Sequence, residues 1–443
     1  MFFIDSTCLW FKKYSRFVKI YMVNIINILH ILIAFICIFP FYPSKAYGSG
    51  FGLFMNGAGE LGMMNAVISH SQGPASNFFN PALIAFLDGT LVEISSTMVM
   101  PSIEFQSDLS GKKTNNIRHT NYPSALFFTH KTGESFTLGL GVNNTFGLCT
   151  KWPVDWEGRY IITTSELMTF NINPNLAWKV TDKISMAVGA DVLLGDASME
   201  QNLNLSLFGL PDGRQKFRGD GEGYGYNLGA LYKVTDEVSL GLSWRSSINL
   251  HLKGDVKFDL PKALSPILAQ TFPDTDGETT LDLPPQLHCG LSYRPLDNII
   301  FEVGGRWEGW SSYDQLKIKF DGNVAGQGSV VTLKNWKDTY QFIVGVKYNA
   351  EPTLALLAGY ARGEDPVPDN TFEPSIPVSS CNNFSIGVQK VWAKFSCAVC
   401  YLYNTYHSRD KNNDIGALSG LTANGRYKAD VNIVGVSVAY MFK

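Results

Sequence analysis

The chain has 443 residues, 17% of them charged and 13% aromatic, with 41 Gly, 29 Phe and 19 Tyr and a mean hydropathy of zero. A helical membrane protein would carry several continuous apolar runs of roughly 20 residues; one is present, at the N-terminus. The formal net charge of −3 comes without a clustered basic face, so nothing points to nucleic-acid binding.

Lys12, Lys13, Arg16 and Lys19 precede an apolar run over about 25–41, and the small residues of Ala46-Tyr47-Gly48 follow it. A basic start, an apolar centre and small residues at the cut are the layout of a secretory signal. The sequence therefore predicts a signal peptide over 1–48. A transmembrane anchor is the other reading, and His30 and the prolines that interrupt the run count against it. Without residues 1–48 the net charge falls to about −7, and Cys149, Cys289, Cys381, Cys397 and Cys400 remain. Cys397 and Cys400 form a C-x-x-C pair inside a strand pattern, where a spacing of three sends the side chains to opposite faces. No metal, cofactor or redox site is expected.

Residues 49–90 are rich in Gly, Ala, Asn and Met and lack strand alternation. Asn80 is placed to cap a short helical turn, with Pro81 at its first position and Ala82 after it; Asp88-Gly89 stops it. From there on the dominant period is two. Phe136, Leu138, Leu140 and Val142 alternate with Thr137, Gly139 and Gly141. Ile184, Met186, Val188, Ala190 and Val192 alternate with Ser185, Ala187, Gly189 and Asp191. Val238, Leu240, Leu242 and Trp244 alternate with small or polar residues, as do Leu287, Cys289, Leu291 and Tyr293. The last run puts Val434, Val436, Val438, Tyr440 and Phe442 on one face.

A soluble sandwich alternates too. Here, however, many segments reach ten residues or more and carry aromatics at their ends. Short turns at 179–183, 233–237 and 293–298 exchange with long Pro- and Gly-rich excursions near 144–165, 256–280 and 362–380. That is the pattern of an outer-membrane barrel, which closes because hydrocarbon offers a sheet edge no partner. About fourteen strands are expected over 91–443, starting near 91, 119, 135, 165, 183, 215, 237, 281, 298, 334, 352, 381, 394 and 427. A compact segment of 49–90 ahead of a barrel is expected inside it as a hatch, rather than beside it in the periplasm.

Several of these residues, in order, resemble the FadL-type family of outer-membrane transporters. They are Gly50-Phe51, Asn80-Pro81-Ala82, Leu87-Asp88-Gly89-Thr90, Pro101-Ser102, Phe146-Gly147, Trp156-Glu157-Gly158-Arg159-Tyr160, Asn171-Ile172-Asn173-Pro174, Leu283-Pro284-Pro285, Trp310-Ser311-Ser312-Tyr313, and Gly359-Tyr360 followed by Pro366-Val367-Pro368-Asp369 and Ile376-Pro377. The hatch departs from the family in carrying Ser69-His70-Ser71-Gln72-Gly73-Pro74 where acidic residues are usual. The resemblance implies a fourteen-stranded, all-β transmembrane barrel in the bacterial outer membrane. It further implies transport of long-chain fatty acids or other hydrophobic small molecules, with capture outside, an interior pocket and sideways release at a kinked third strand.

Candidate ligand residues fall into two sets. Leu260, Leu264, Ile267 and Leu268 share one face at helical spacing, and Phe272 follows; an exposed apolar face needs a partner. That partner is an acyl chain or the neighbouring loop with Leu207 and Phe208. A buried carboxylate head group needs a cation. Arg245 and Arg306 stand in lumenal register, and Arg159 sits in the loop resembling the third-to-fourth strand connection. Salt bridges to Asp191, Glu302 or Glu308 are the competing role for these arginines. Outer-membrane lipid and the barrel insertion machinery are the expected surroundings of a monomer. No catalytic motif occurs, and the chain reads as no enzyme. A general or gated porin, or a lipid-modifying barrel enzyme, remains the alternative.

Overall fold

The computed structural model describes residues 50–262, 265–377 and 379–442, with side chains 265–267 left out. The signal peptide expected over 1–48 and the side chain of Leu264 lie outside the described residues. Among the described residues fourteen antiparallel strands follow one another round a closed sheet. They are β1 (Thr90–Ser107), β2 (Ser124–Thr132), β3 (Phe136–Asn143), β4 (Thr164–Lys179), β5 (Ile184–Leu203), β6 (Gly213–Lys233) and β7 (Val238–Arg245). After these come β8 (Gln286–Leu296), β9 (Ile299–Glu308), β10 (Thr339–Glu351), β11 (Leu354–Gly363), β12 (Cys381–Trp392), β13 (Phe395–Tyr406) and β14 (Gly425–Met441). β14 returns to β1 from Leu91↔Met441 to Ser107↔Gly425, so no edge is left open.

Alternation sets the two faces. Leu138, Val188, Ile386 and Val436 point outward and are exposed, while Ser95, Thr137, Ser185 and Ser385 on the other face are buried. Among the described residues no helix is long and apolar enough to cross a membrane. At the short-turn end Phe136 stacks on Trp178 and Phe395 packs on Tyr440, a girdle suited to the interface. Further strand segments continue several elements beyond this zone, notably Ile248–Asp259, Thr275–Leu283, Gln315–Val324 and Gln327–Leu333.

Three strand starts differ from expectation, each for a local reason. β2 begins at Ser124 rather than 119, because Asn121 makes only an isolated bridge to Val99 and Pro123 has no N–H to donate. Pro284 and Pro285 likewise break the run expected from 281, so β8 begins at Gln286. β10 begins at Thr339 rather than 334, because Lys334 and Asn335 turn back onto Asp314 and Asn335 is left-handed, with φ 49°.

Residues 50–89 pack against the buried faces of the strands. Helix α1 (Ala58–Gly62) lies against β11–β14, and α2 (Ser76–Phe79) leads to a 3-10 turn, Pro81–Phe86, against β4–β6. Asn80 caps that turn, its Oδ1 accepting from Ala82 N at 3.1 Å, while its Nδ2 donates to Ile68 O at 2.7 Å. The contact with the wall is close enough to demand glycine. A Cβ at Gly359 would lie 2.4 Å from the Met63 carbonyl carbon, and one at Gly241 would lie 2.0 Å from Ile68 O.

Candidate functional site

β3 stops at Asn143, and its pairing with β4 resumes only at Gly147–Lys151. The start of segment 50–89 fills the interval. Gly52 bridges Phe146, Gly147 N donates to Phe51 O at 2.9 Å, and Leu53 N donates to Thr145 O at 2.8 Å. Side chains satisfy the rest: Asn144 Nδ2 donates to Thr169 O, and Thr169 Oγ1 to Phe146 O.

This insertion carries Phe51 into an aromatic chamber inside the outer half of the barrel. Its ring centroid lies 4.7 Å from Trp310, 5.6 Å from Trp336, 5.9 Å from Tyr313 and 6.2 Å from Phe146. Trp152 and Trp156 stack at 4.4 Å, beside Phe105 and Tyr427. The Trp310 indole N–H is buried without a partner. Lys334 is buried at the chamber's rim, its backbone N–H on Asp314 O and its Nζ paired with Glu373. Neither the chamber nor Lys334 is visible in the sequence. Its rings come from six separate segments with no shared spacing, and a lysine in a turn gives no signal.

Inward of the chamber runs a polar belt of successive cross-strand partners: Asn175, Gly189, Asn227, Arg245, Gln286 and Glu308. Arg245 is buried here, bound to Asp191 and reaching Phe78 O at 3.4 Å. Arg306 is equally buried, with Glu308 at 3.5 Å from its Nε. Glu302 turns instead to segment 50–89. It accepts from Ile68 N at 2.5 Å and Ser69 Oγ at 2.7 Å, and lies 2.6 Å from His70 Nδ1. Arg159 stays near the outer surface, donating to Asp212 at 2.8 Å and to Tyr160 Oη at 2.9 Å.

An open groove is lined by Met199, Phe217, Leu316, Ile318, Phe320 and Ile162, with Glu200, Gln201 and Gln215 among its polar residues. Among the described residues, the expected apolar loop meets the groove's lining through Phe272. Helix α3 (Ser265–Thr271) ends beside Phe272, which packs on Phe258 at 5.7 Å in a cluster that includes Phe217 and Phe320. Leu268 is buried, and Leu260 lies near Gly213 and Leu205. Leu205 of the neighbouring loop lies on the same side of Gly213, while Leu207 (95% exposed) and Phe208 are exposed. Nothing is described of the Ile267 side chain.

The family model described as outer membrane protein transport protein (OMPP1/FadL/TodX) matches residues 42–442. The chain belongs to this family. It is a β-barrel transport protein of the bacterial outer membrane, and the resemblance carried by Asn80-Pro81-Ala82 and the Gly359-Tyr360 cluster is to this family. The long-chain fatty acid transport protein of Escherichia coli O6:H1 is 24% identical over 408 residues, covering 84% of this chain and 87% of that protein. The protein of the same description from Salmonella typhi is 25% identical over 361 residues, covering 75% and 82%. Among solved structures, a Pseudomonas aeruginosa FadL homologue superposes with a TM-score of 0.80 at 20% identity, over 89% of this chain and all of that one. The toluene transporter TodX of P. putida superposes at 0.69 and 16% identity, over 89% and 99%. OMPP1/FadL/TodX members thus share this fold across low identity.

Proposed function

We propose that the chain takes long-chain fatty acids or comparable hydrophobic molecules from outside, passes them through the aromatic chamber and releases them sideways into the membrane. The observation that carries this reading is continuity. Ile162 and Leu316 line the outer groove and also belong to the apolar cluster of the chamber, so one apolar surface leads from solvent to Phe51. The relatives' described cargoes, long-chain fatty acid and toluene, fit an apolar route. In this reading residues 1–48 are a signal, segment 50–89 is the hatch, and Phe51 holds the place of the cargo. The segment with Leu260, Leu268 and Phe272 is an outer wall of the capture surface, and the break after Asn143 is the exit. The residues act by binding and release, without catalysis.

Each buried CH₂ contributes roughly 0.8 kcal/mol, so about ten methylenes supply the roughly 8 kcal/mol of micromolar capture. A charge in the groove opposes that burial. Met199→Asp combined with Ile318→Asp is expected to slow uptake of labelled oleate about tenfold or more, while heat-modifiable migration on gels stays normal. Unchanged uptake in the folded double variant sinks the route.

A further inference from the structure

Arg306 lies on the lumenal face of β9, against segment 50–89, and is 4% exposed. Its Nε has no hydrogen-bond partner, and the Glu308 oxygen at 3.5 Å is too far to be a good acceptor. Glu308 is itself drawn toward Gln286 Nε2, at 3.4 Å. The ring of Phe54, a hatch residue, covers one face of the guanidinium, its centroid 3.3 Å from the central carbon. His288 is the cross-strand neighbour of Arg306, and its ring lies 5.7 Å from that of Phe54.

A buried donor left unfilled beside a loosely held counter-ion is costly. The other two candidate arginines are not in that state: Arg245 is committed to Asp191 and Phe78 O, and Arg159 to Asp212 and Tyr160. A planar guanidinium reads a planar carboxylate through its in-plane N–H groups, which a ring stacked on the face leaves open.

We propose that Arg306, framed by Phe54 and His288, is an interior receptor for a carboxylate head group, through which the chain tells hydrophobic acids from neutral molecules of the same shape. The proposal rests on the transport reading above. It ties the head group to the hatch, because Phe54 forms one wall of the site and moves with segment 50–89.

The test measures binding of oleate and of oleyl alcohol to the purified full-length protein. Oleate is expected to bind the unmodified protein more tightly than the alcohol. In Arg306→Met/Glu308→Gln, where no buried carboxylate is left alone, the acid-to-alcohol affinity ratio is expected to fall about tenfold. Arg306→Lys keeps the charge without the fork and is expected to fall between the two; it also guards against a misfolded double variant. A ratio unchanged in both variants overturns the receptor and leaves transport standing. Failure of the unmodified protein to bind either probe overturns the transport reading and the receptor with it.

Discussion

Segment 50–89 meets the barrel on two sides whose chemistry differs. Toward β10–β14, Leu61, Met64 and Ala66 pack with Ile343, Ala361, Cys400 and Leu402, and the Met63 main chain lies against Gly359. Toward β3–β6 the contact is mixed: Ala82, Leu83 and Ile84 pack with Ala177, Ala187 and Leu231, and beside them stands a run of amides. Asn77 Nδ2 donates to Asn173 O at 3.4 Å, Asn173 to Asn227 at 2.9 Å, and Asn227 to Asn175 at 2.8 Å. Several polar atoms on this side, Asn77 Oδ1, Asn143 Nδ2 and Asn171 Oδ1, are buried without a partner. Apolar interdigitation is lost outright when two surfaces separate, whereas amide hydrogen bonds exchange for bonds to water at small net cost. We propose that the β10–β14 side is the anchor, and that the β3–β6 side, where unpaired amides lie next to the break in β3, is where the segment shifts.

The largest effect is expected on the anchor. Gly359→Val drives side-chain atoms into the Met63 backbone, an overpacking of about 1–3 kcal/mol with no flexible group to yield. Single-channel recording of this variant should show a larger, noisier conductance than the unmodified barrel. A closed trace would mean the anchor is elsewhere.

A pH handle sits within the same anchor. Burial first, and the neighbouring Glu93 carboxylate second, push the Glu60 carboxyl well above the usual carboxylate range, against a smaller opposing pull from Lys347. A value raised by packing means that packing favours the protonated form. The stabilisation is complete below the ordinary value of about 4.3 and is lost as pH climbs through the raised one. Hatch noise should thus grow with pH, and Glu60→Gln should flatten that dependence. An unmodified protein whose trace ignores pH would remove Glu60 from the anchor.

The smallest effect is expected on the amide side. Asn77→Ala removes one long hydrogen bond and should cost less than about 1 kcal/mol, with thermal unfolding almost unmoved. A loss as large as that of Gly359→Val would erase the distinction between the two sides.

The barrel was legible because period-two alternation reports directly on which face meets lipid; Leu138, Val188 and Val436 are outward as their spacing implies. Strand ends were less legible wherever a proline or a left-handed residue interrupts pairing beyond the membrane zone, as at Pro123, Pro284 and Asn335. The lumenal register of Arg245 and Arg306 follows from the same parity. Their partners do not: Asp191 reaches Arg245 from two strands away, while Glu302, an equally plausible counter-ion on paper, is claimed by Ser69 and His70. The aromatic chamber left no periodic trace, because Phe51, Phe146, Trp310 and Trp336 meet only once the barrel has closed.

The ladder from Leu91 to Met441 also has a meaning in time. It joins the first strand to the last, so the sheet has high contact order and cannot finish until its C-terminal strand arrives. Segment 50–89 is made before any strand, yet many of its contacts lie on late ones: Glu302 on β9, Gly359 on β11, Ser385 on β12 and Gly435 on β14. Until those strands are in place, Leu61 and Met63 lack much of the apolar surface they rest on, which is the exposure that makes folding intermediates aggregate. A portion of the chain synthesised ahead of every strand thus completes its packing only when the last strands arrive, carried through assembly as a passenger of the barrel.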